Sequence, residues 1–416
     1  MGSLLISHLI QDLPDAKMPP YSLSSIPKGV YAIPDDQLDL RSDTEVDDTI
    51  KSLRHVTSPK NIWFFWNSGY DTLHPYAKRN VRAWHRRFSK KGWEIRVVDL
   101  DPTSTGYIGS WIDLEDSTVV PEAFKNGTLD GEFAKQHYSD LVRFPLLLRY
   151  GGVYTDVGFM QIGDLDRLWN ETIANADSPY EVLSYNADGP RSYSLLNYFI
   201  ASLPGNAFWQ ACHDLLLKLW KGRTNTEGLY KHPLIKELPL MGETFTAAGH
   251  EEISRRLTDY IIQGQVITMA MSTVDEERGW DGPEYTSTKI FAPEYMVGSQ
   301  LINEYTNWNG PRAFELMSLK LPEPGQPESD DQKLAREIVE NCLSRSFGFK
   351  LAHGLIVQVL GETLGSLWRK NVGSDVVEGT YAHWLRYGIE RWNQYDLPTP
   401  EAFEKLEPVK RGSLLG

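Results

Sequence analysis

Three charged residues near the middle of the chain have the types and spacing that binding of a diphosphate requires. Asp140 and Arg143 stand three positions apart in the segment HYSDLVRFPLLLRY, so a helix would place them on one face. Asp156 ends the segment VYTD, which has the pattern of a short strand. Arg pairs with phosphate, and a carboxylate accepts from ribose hydroxyls or holds a divalent cation. The three residues therefore predict a nucleoside diphosphate cleft; an ordinary Asp–Arg pair on a helix is the alternative.

Alternating strand and helix patterns surround these residues. Strands are predicted at residues 61–66 (NIWFFW), 93–98 (WEIRVV) and 153–156, and helices at residues 75–89 and 133–150. This alternation predicts an α/β fold with a parallel sheet and crossover helices. Ligands of such sheets lie beyond the carboxyl ends of the strands, where Asp156 falls. The other polar or aromatic residues at predicted strand ends are Trp66, Asp99 and Asp101.

The remainder of the chain has weaker patterns. Further strands are predicted at residues 182–185 and 198–200, helices at residues 207–220, 332–346 and 349–368, and a Pro- and acid-rich linker at residues 321–331. We therefore divide the chain into an N-terminal extension (1–55), a main domain (56–320), a mainly helical C-terminal part (321–397) and a polar tail (398–416).

Composition excludes several classes of protein. The 416 residues include 42 basic and 56 acidic side chains, and a net charge of −14 argues against nucleic-acid binding. Two cysteines, Cys212 and Cys342, exclude a disulfide framework. No apolar run reaches the about 18 residues of a membrane span, and the N-terminus lacks the basic start of a signal peptide. The expectation is a soluble, cytoplasmic protein.

The central segment resembles a known family. The pattern S-D-x-x-R-x-x-x-L-x-x-x-G-G-x-Y-x-D runs from Ser139 through Asp140, Arg143 and Tyr154 to Asp156. It is typical of glycosyltransferases with the GT-A fold and a DXD sugar-binding region. The chain looks most like the capsular polysaccharide synthesis protein family, including its fungal members, and more distantly like the large glucosylating bacterial toxins. The resemblance is strong over residues 61–163, diffuse over residues 194–246 and weak beyond.

The resemblance implies a Rossmann-like GT-A sheet, flanked by helices, that binds a nucleotide sugar. It implies a retaining transfer from a UDP-sugar to an acceptor that the sequence does not identify. Trp66 would stack on the uracil base; simple core packing is the alternative. Asp140 would bind ribose or sugar hydroxyls, and Arg143, Asp156 and any metal would stabilise the leaving diphosphate. Tyr154 completes the nucleotide-sugar motif.

One position departs from the family's pattern. Where the family usually has Asp-x-Asp, this chain has Asp156-Val157-Gly158, so the second carboxylate is missing. Loss of one anionic ligand weakens binding of Mn²⁺ or Mg²⁺. Three outcomes stay open. Asp156, diphosphate, water and a C-terminal ligand hold the ion; the enzyme works without metal, through Arg143 and other donors; or the chain has lost activity.

Three further residues are assigned by the resemblance alone. Asn197 and Glu243 are expected near the sugar side of the donor pocket; an exposed position is the alternative for Glu243. His383, in Ala-His-Trp, is the expected late metal ligand, with a packed or surface histidine as the alternative.

Two literal Asp-x-Asp matches are expected to be decoys. Asp99-Leu100-Asp101 ends the second predicted strand, and Asp164-Leu165-Asp166 is expected to cap a helix near residue 168.

Two other functions remain as alternatives to transfer. A nucleotide-sugar-binding protein without turnover is suggested by Gly158, and a nucleotide-sugar hydrolase would use the same pocket. The acceptor is expected to meet loops and helices of residues 321–371. Core packing is the preferred interpretation of their apolar face, Leu351, Leu355, Val359 and Leu364. If that face were open, a small hydrophobic acceptor would fit it.

Overall fold

A mixed sheet of six strands forms the centre of the protein. The computed structural model describes residues 26–242, 251–323 and 325–416. The described strands are β1 (Val30–Ala32), β2 (Asn61–Phe65), β3 (Glu94–Val98), β4 (Gly152–Thr155), β5 (Phe159–Gln161), β6 (Val182–Leu183), β7 (Phe199–Ser202), β8 (Thr273–Asp275), β9 (Trp280–Asp281), β10 (Ile290–Phe291), β11 (Gly348–Lys350), β12 (Trp392–Gln394) and β13 (Lys410–Arg411). The central sheet has the order β10-β6-β7-β4-β2-β3. This architecture confirms the α/β class.

Helices cover the sheet and build the C-terminal part of the chain. Those described are α1 (Asp43–Lys51), α2 (Pro75–Phe88), α3 (Glu122–Lys125), α4 (Ala134–Tyr150), α5 (Leu165–Glu171), α6 (Ala207–Trp220), α7 (Glu251–Tyr260), α8 (Ile262–Ser272), α9 (Gly282–Lys289), α10 (Tyr295–Ser299), α11 (Leu301–Tyr305), α12 (Gly310–Ser318), α13 (Asp330–Arg345), α14 (Leu355–Leu360), α15 (Leu364–Lys370) and α16 (Tyr381–Arg391). Within the described ranges, none of them has the length and apolar character needed to cross a bilayer.

The first half of the chain follows the predicted alternation. β2 pairs in parallel with both β3 and β4, and α2 and α4 supply the crossovers. All five residues of β2 are buried because the strand has a core on each face. Ile62 and Phe64 pack into one core, and Trp63 and Phe65 into the other. The sheet is mixed rather than parallel throughout, since β7 returns antiparallel to β4.

Two glycines set the turn from α4 into β4. Gly151 and Gly152 have φ angles of +67° and +100°, in the region that L side chains rarely adopt. A Cβ atom on Gly152 would lie 2.2 Å from the carbonyl oxygen of Asn61. The glycines therefore let α4 end directly against β2, which places the face of α4 beside the end of β4.

The prediction of a single helix over residues 349–368 is wrong. Its start is strand β11, which pairs antiparallel with β5, and the remainder divides into α14 and α15. Gly354 and Gly361 flank α14 with φ angles of +66° and +81°. These positive φ angles end the helical conformation on both sides of α14, so the predicted long helix is not continuous. As a result, Lys350 and His353 lie near Asp156, which follows β4 of the central sheet.

The described parts of the extension and the tail pack on the rest of the protein. Ser42 and Glu45 form a capping box at the start of α1, and α1 packs against α2. β1 pairs with β12, and β13 in the C-terminal tail pairs with β8. These strands tie both ends of the described chain to the main body.

Candidate active site

Asp140 and Arg143 form the buried base of the site, on the predicted common face of α4. Arg143 Nη2 lies 2.7 Å from Asp140 Oδ1, and Arg143 is only 3% exposed. The same guanidinium donates to the backbone carbonyl of Asn197 and, at 3.3 Å, to the hydroxyl of Ser139. Several acceptors therefore fix its plane before any ligand binds.

The ring of Tyr154 packs against this guanidinium. Arg143 lies 5.0 Å above the centre of the Tyr154 ring, and the phenol is hydrogen-bonded to the Ser139 hydroxyl at 2.8 Å. Burial raises the pKa of Tyr154, so the phenol stays neutral. Burial acts to lower the pKa of Arg143, but the carboxylates of Asp140 and Asp156 outweigh it and the net shift is upward. The Nε atom of Arg143 is buried without a hydrogen-bond partner among the described residues.

Asp156 lies immediately after β4, in a turn held by backbone contacts. Its N–H donates to the carbonyl of Tyr198 at 3.0 Å, and its carbonyl accepts from the N–H of Phe159 at 2.9 Å. The side-chain amide of Asn80 donates to the carbonyl of Val157 at 2.9 Å. The Asp156 side chain is 29% exposed, so a ligand can reach it.

Two cations face the Asp156 carboxylate. Lys350 Nζ lies 2.7 Å from Asp156 Oδ2, and Arg143 Nη2 lies 3.8 Å from Asp156 Oδ1. Burial would raise the pKa of Asp156, but Lys350 and Arg143 outweigh this effect and hold it below the usual value for Asp. Asp140, Arg143, Asp156 and Lys350 thus form one cluster, which we call the charged cluster.

Lys350 and His353 were not predicted, because the sequence placed them in a helix. The His353 ring is hydrogen-bonded to the Tyr76 hydroxyl at 2.6 Å. Burial, with Lys350 and Arg369, lowers the pKa of His353 to about 3. The imidazole is therefore neutral at ordinary pH. The glycine at position 354 was the signal in the sequence that could have indicated the break.

Asn197 lies at the charged cluster, and its place at the sugar side of a donor stays a prediction. Its carbonyl accepts from Arg143, and its side-chain amide donates to Gln263 Oε1 at 3.0 Å. Gln263 in turn donates to the backbone carbonyl of Asp140 at 3.0 Å. Gln263 is therefore a further residue of this region that the sequence did not indicate. Glu243, the other expected sugar-side residue, lies outside the described residues.

Trp66 follows β2 at the carboxyl edge of the sheet. β2 and β4 are adjacent parallel strands with Trp63 opposite Tyr154, so Trp66 and Asp156 both follow strand ends at this edge. The Trp66 ring is half-buried, and its N–H donates to the Thr72 hydroxyl at 2.9 Å. The stacking role of Trp66 stays a prediction.

The aspartates of the two Asp-x-Asp matches have hydrogen-bond or ion-pair partners in the protein outside the charged cluster. Asp99 accepts from the Ser104 hydroxyl at 2.6 Å, and Asp101 accepts from the Thr103 hydroxyl at 2.7 Å. Asp164 caps α5, three residues earlier than expected, by accepting from the N–H of Arg167 at 3.1 Å. Asp166 Oδ1 lies 2.7 Å from the Nζ atom of Lys60. These contacts agree with local structural roles.

The fit of a divalent cation depends on Asp156. Within the described ranges, no three His, Cys, Asp or Glu side chains come close enough together to hold a metal ion. His383, the expected second ligand, is buried on α16 with Glu378 and Lys320 as its charged neighbours. A metal on Asp156 would be repelled by Lys350 and Arg143, so this arrangement fits a metal poorly.

Comparisons with known proteins cover almost the whole chain. Residues 38–232 match the family model described as "Capsular polysaccharide synthesis protein". The O-glycosyltransferase braB of Annulohypoxylon truncatum is 33% identical over 402 residues, which are 94% of this chain and 92% of that protein. The O-glycosyltransferase PaGT of Phomopsis amygdali is 29% identical over 94% of this chain and 95% of its own length.

A solved structure of a toxin glycosyltransferase is among those that the chain resembles. The PaToxG glycosyltransferase is 15% identical and aligns with 54% of this chain and 92% of its own, with a TM-score of 0.27. This likeness is too low to support an argument about the fold.

Proposed function

The chain belongs to the same glycosyltransferase family as braB, and on that premise we propose that it is a retaining enzyme that transfers a sugar from a UDP-sugar to a hydroxyl group of a small acceptor. The observation that carries this proposal is the charged cluster at the carboxyl edge of the sheet. It combines two cations with two carboxylates, which are the groups that a diphosphate and sugar hydroxyls need.

The donor would lie across the carboxyl ends of β2 and β4. The uracil ring would stack on the half-buried Trp66, because the face of an indole attracts any flat base. Asp140 would accept from ribose or sugar hydroxyls. Arg143 would stabilise the diphosphate through the charge of its buried guanidinium, which Asp140, Ser139 and the Asn197 carbonyl hold in place.

Transfer would break the bond between the anomeric carbon and the β-phosphate oxygen, whose electron pair leaves with UDP. The acceptor hydroxyl oxygen would attack the same face of the sugar, and its proton would pass to the departing phosphate oxygen. The configuration at the anomeric carbon is thereby kept. Arg143 would stabilise the charge that develops on the leaving diphosphate, in a position fixed by Asp140 before the reaction. Asp156 would accept from a sugar hydroxyl and orient the cations beside it.

The acceptor would approach from the side of α14. Leu351, Leu355 and Leu364 are buried, in agreement with the core packing that we preferred for this face, whereas Val359 is only half-buried. Ile356 and Val359 of α14 are only half-buried, which offers apolar surface to a small acceptor. Two relatives are named O-glycosyltransferases, and this supports a hydroxyl as the accepting group.

Calorimetry with UDP, GDP and inorganic phosphate tests the donor assignment. We expect UDP to bind more tightly than GDP, and Asp140→Asn to weaken the binding of UDP-sugars. Asp101→Asn is the matched control. Asp101 follows a strand of the same sheet, and its side chain accepts from the Thr103 hydroxyl in its own loop. Failure of UDP and all common UDP-sugars to bind, or equal losses in the two variants, would contradict the proposal. Release of free sugar at the same rate with and without acceptors would indicate a hydrolase instead.

A further inference from the structure

Lys350 lies between a carboxylate of the motif and the position where the family's second carboxylate would stand. Its Nζ atom is 2.7 Å from Asp156 Oδ2. A Cβ atom placed on Gly158 would lie 3.5 Å from the same Nζ atom. An Asp-x-Asp motif would have carboxylates at both positions, and a cation shared by the two would lie between them. In this chain, that space contains an ammonium group of the protein itself.

We propose that the Lys350 ammonium takes the place of the divalent cation and binds the donor diphosphate directly, so that donor binding is independent of metal. This inference rests on the proposed function, since it concerns the diphosphate of the same donor. Lys350 would then be a binding residue for the leaving group, and Gly158 adds no carboxylate that would compete with the diphosphate for it.

The backbone fixes Lys350 in this position. β11 pairs antiparallel with β5, so that Lys350 lies opposite Phe159, the residue that follows Gly158. The N–H of Leu351 donates to the carbonyl of Gly158 at 2.9 Å, immediately beside the pair. A Cβ atom on Gly348 would lie 2.1 Å from the Phe159 ring, so β11 approaches β5 as closely as only glycine allows. The two segments are therefore held together without help from a bound ion.

The ammonium retains capacity for a ligand. A lysine has three N–H donors, and Asp156 accepts from one of them. The Lys350 side chain is 16% exposed, and its Nζ atom lies 5.8 Å from the centre of the Tyr198 ring. Two donors thus remain for phosphate oxygens, and lysine binds phosphate in this way as a compact charge.

The neighbouring charges suit a diphosphate rather than a second cation. Arg143 and Lys350 are balanced by Asp140 and Asp156 before a ligand binds. Asp156 already has two cationic partners, so a divalent cation would have to displace Lys350, whereas a diphosphate could bind to the free donors of Lys350. An Asp at position 158 would pair with Lys350 and compete with the diphosphate. Glycine at this position therefore agrees with a lysine that binds the ligand.

UDP binding with excess EDTA and with Mn²⁺ tests the inference by calorimetry. For the natural chain we expect the same Kd in both solutions within about twofold, because no divalent cation takes part. Lys350→Ala is expected to weaken UDP binding by about 10- to 150-fold in EDTA, the loss typical of a hydrogen bond to a charged group. Lys60→Ala is the matched control, since Lys60 forms a 2.7 Å pair with Asp166 away from the charged cluster. It should bind UDP like the natural chain.

A double variant separates a binding role from a structural one. Gly158→Asp combined with Lys350→Ala restores the family's pair of carboxylates and removes the ammonium. We expect this variant to bind UDP at least about tenfold more tightly in Mn²⁺ than in EDTA. Thermal unfolding without ligand shows whether either variant has lost its fold.

The outcomes distinguish this inference from the proposed function. If the natural chain bound UDP in Mn²⁺ but not in EDTA, the inference would be overturned and the proposed function would stand. If it bound no UDP-sugar in either solution, the proposed function itself would fail. Unchanged binding by Lys350→Ala would overturn the inference, as would a double variant that binds equally in Mn²⁺ and in EDTA.

Discussion

The ammonium of Lys350 lies 2.7 Å from the carboxylate of Asp156, and this ion pair joins the motif segment to the C-terminal part of the chain. Asp156 follows β4, whereas Lys350 ends β11, and the pairing of β11 with β5 brings them together. The charged cluster is therefore assembled from distant segments. Its chemistry depends on the tertiary fold as much as on the motif.

Replacement of Asp156 tests the role of the exposed carboxylate. Asp156→Asn keeps the shape of the side chain but removes the charge that orients Lys350 and accepts from the donor. We expect kcat to fall by about 100-fold or more, because Lys350 and Arg143, which stabilise the developing charge, lose the carboxylate that orients them. Initial rates of UDP release with a saturating donor measure it, with Asp101→Asn as control. Turnover near that of the natural enzyme would show that Asp156 has a different role.

Arg143 tests whether the fixed guanidinium geometry is needed. Arg143→Lys keeps the charge but cannot reach Asp140, Ser139 and the Asn197 carbonyl at once. We expect kcat/KM for the donor to fall by about 100-fold. Arg149→Lys, in the last turn of the same helix and exposed, should have no effect. Equal rates in the two variants would refute a role for Arg143 in binding the leaving group.

Trp66 tests the stacking of the base. Trp66→Ala should weaken UDP binding by about 5- to 150-fold, the range for loss of one stacked base, and Trp66→Phe should weaken it less. Binding of inorganic phosphate should not change, because it has no base. Trp280→Phe, which also replaces a half-buried indole, is the control. If both Trp66 variants bound UDP normally, its indole would serve core packing alone.

His353 predicts a pH dependence of stability. Its pKa is lowered from 6.5 to about 3 by burial, Lys350 and Arg369, so the unfolded chain takes up a proton at higher pH than the folded one. The stabilisation is therefore complete above pH 6.5 and is lost as the pH falls towards 3. The free energy of unfolding should decrease by up to about 1.4 kcal/mol per pH unit over this range. Urea unfolding at a series of pH values measures this. The free energy of unfolding should depend less steeply on pH in His353→Gln than in the natural chain, and an equal pH dependence would contradict this assignment.

The first half of the fold could be predicted because its signals are local. The apolar run of β2 and the double glycine after α4 determine where those elements begin and end. The spacing of Asp140 and Arg143 then places both on one helix face. The sequence pattern therefore correctly predicted that Asp140 and Arg143 lie side by side on α4.

The C-terminal contribution to the site could not be predicted in the same way. The apolar spacing from Phe349 onward fits a helix, but β11 pairs with β5 over a long sequence distance. Such pairing is decided by the tertiary environment, and only Gly354 and Gly361 indicated the breaks. Lys350 and His353 were missed for this reason.

A time course by proton NMR tests the central claim most directly. The purified protein is incubated with UDP-glucose, UDP-galactose, UDP-N-acetylglucosamine or GDP-mannose, and the anomeric signals of released sugar are followed before mutarotation. We predict slow release of UDP and an α-sugar from one UDP-linked donor, and its loss in Asp156→Asn. Release of a β-sugar would contradict retention, and turnover of GDP-mannose alone would contradict the assignment of a UDP-sugar donor.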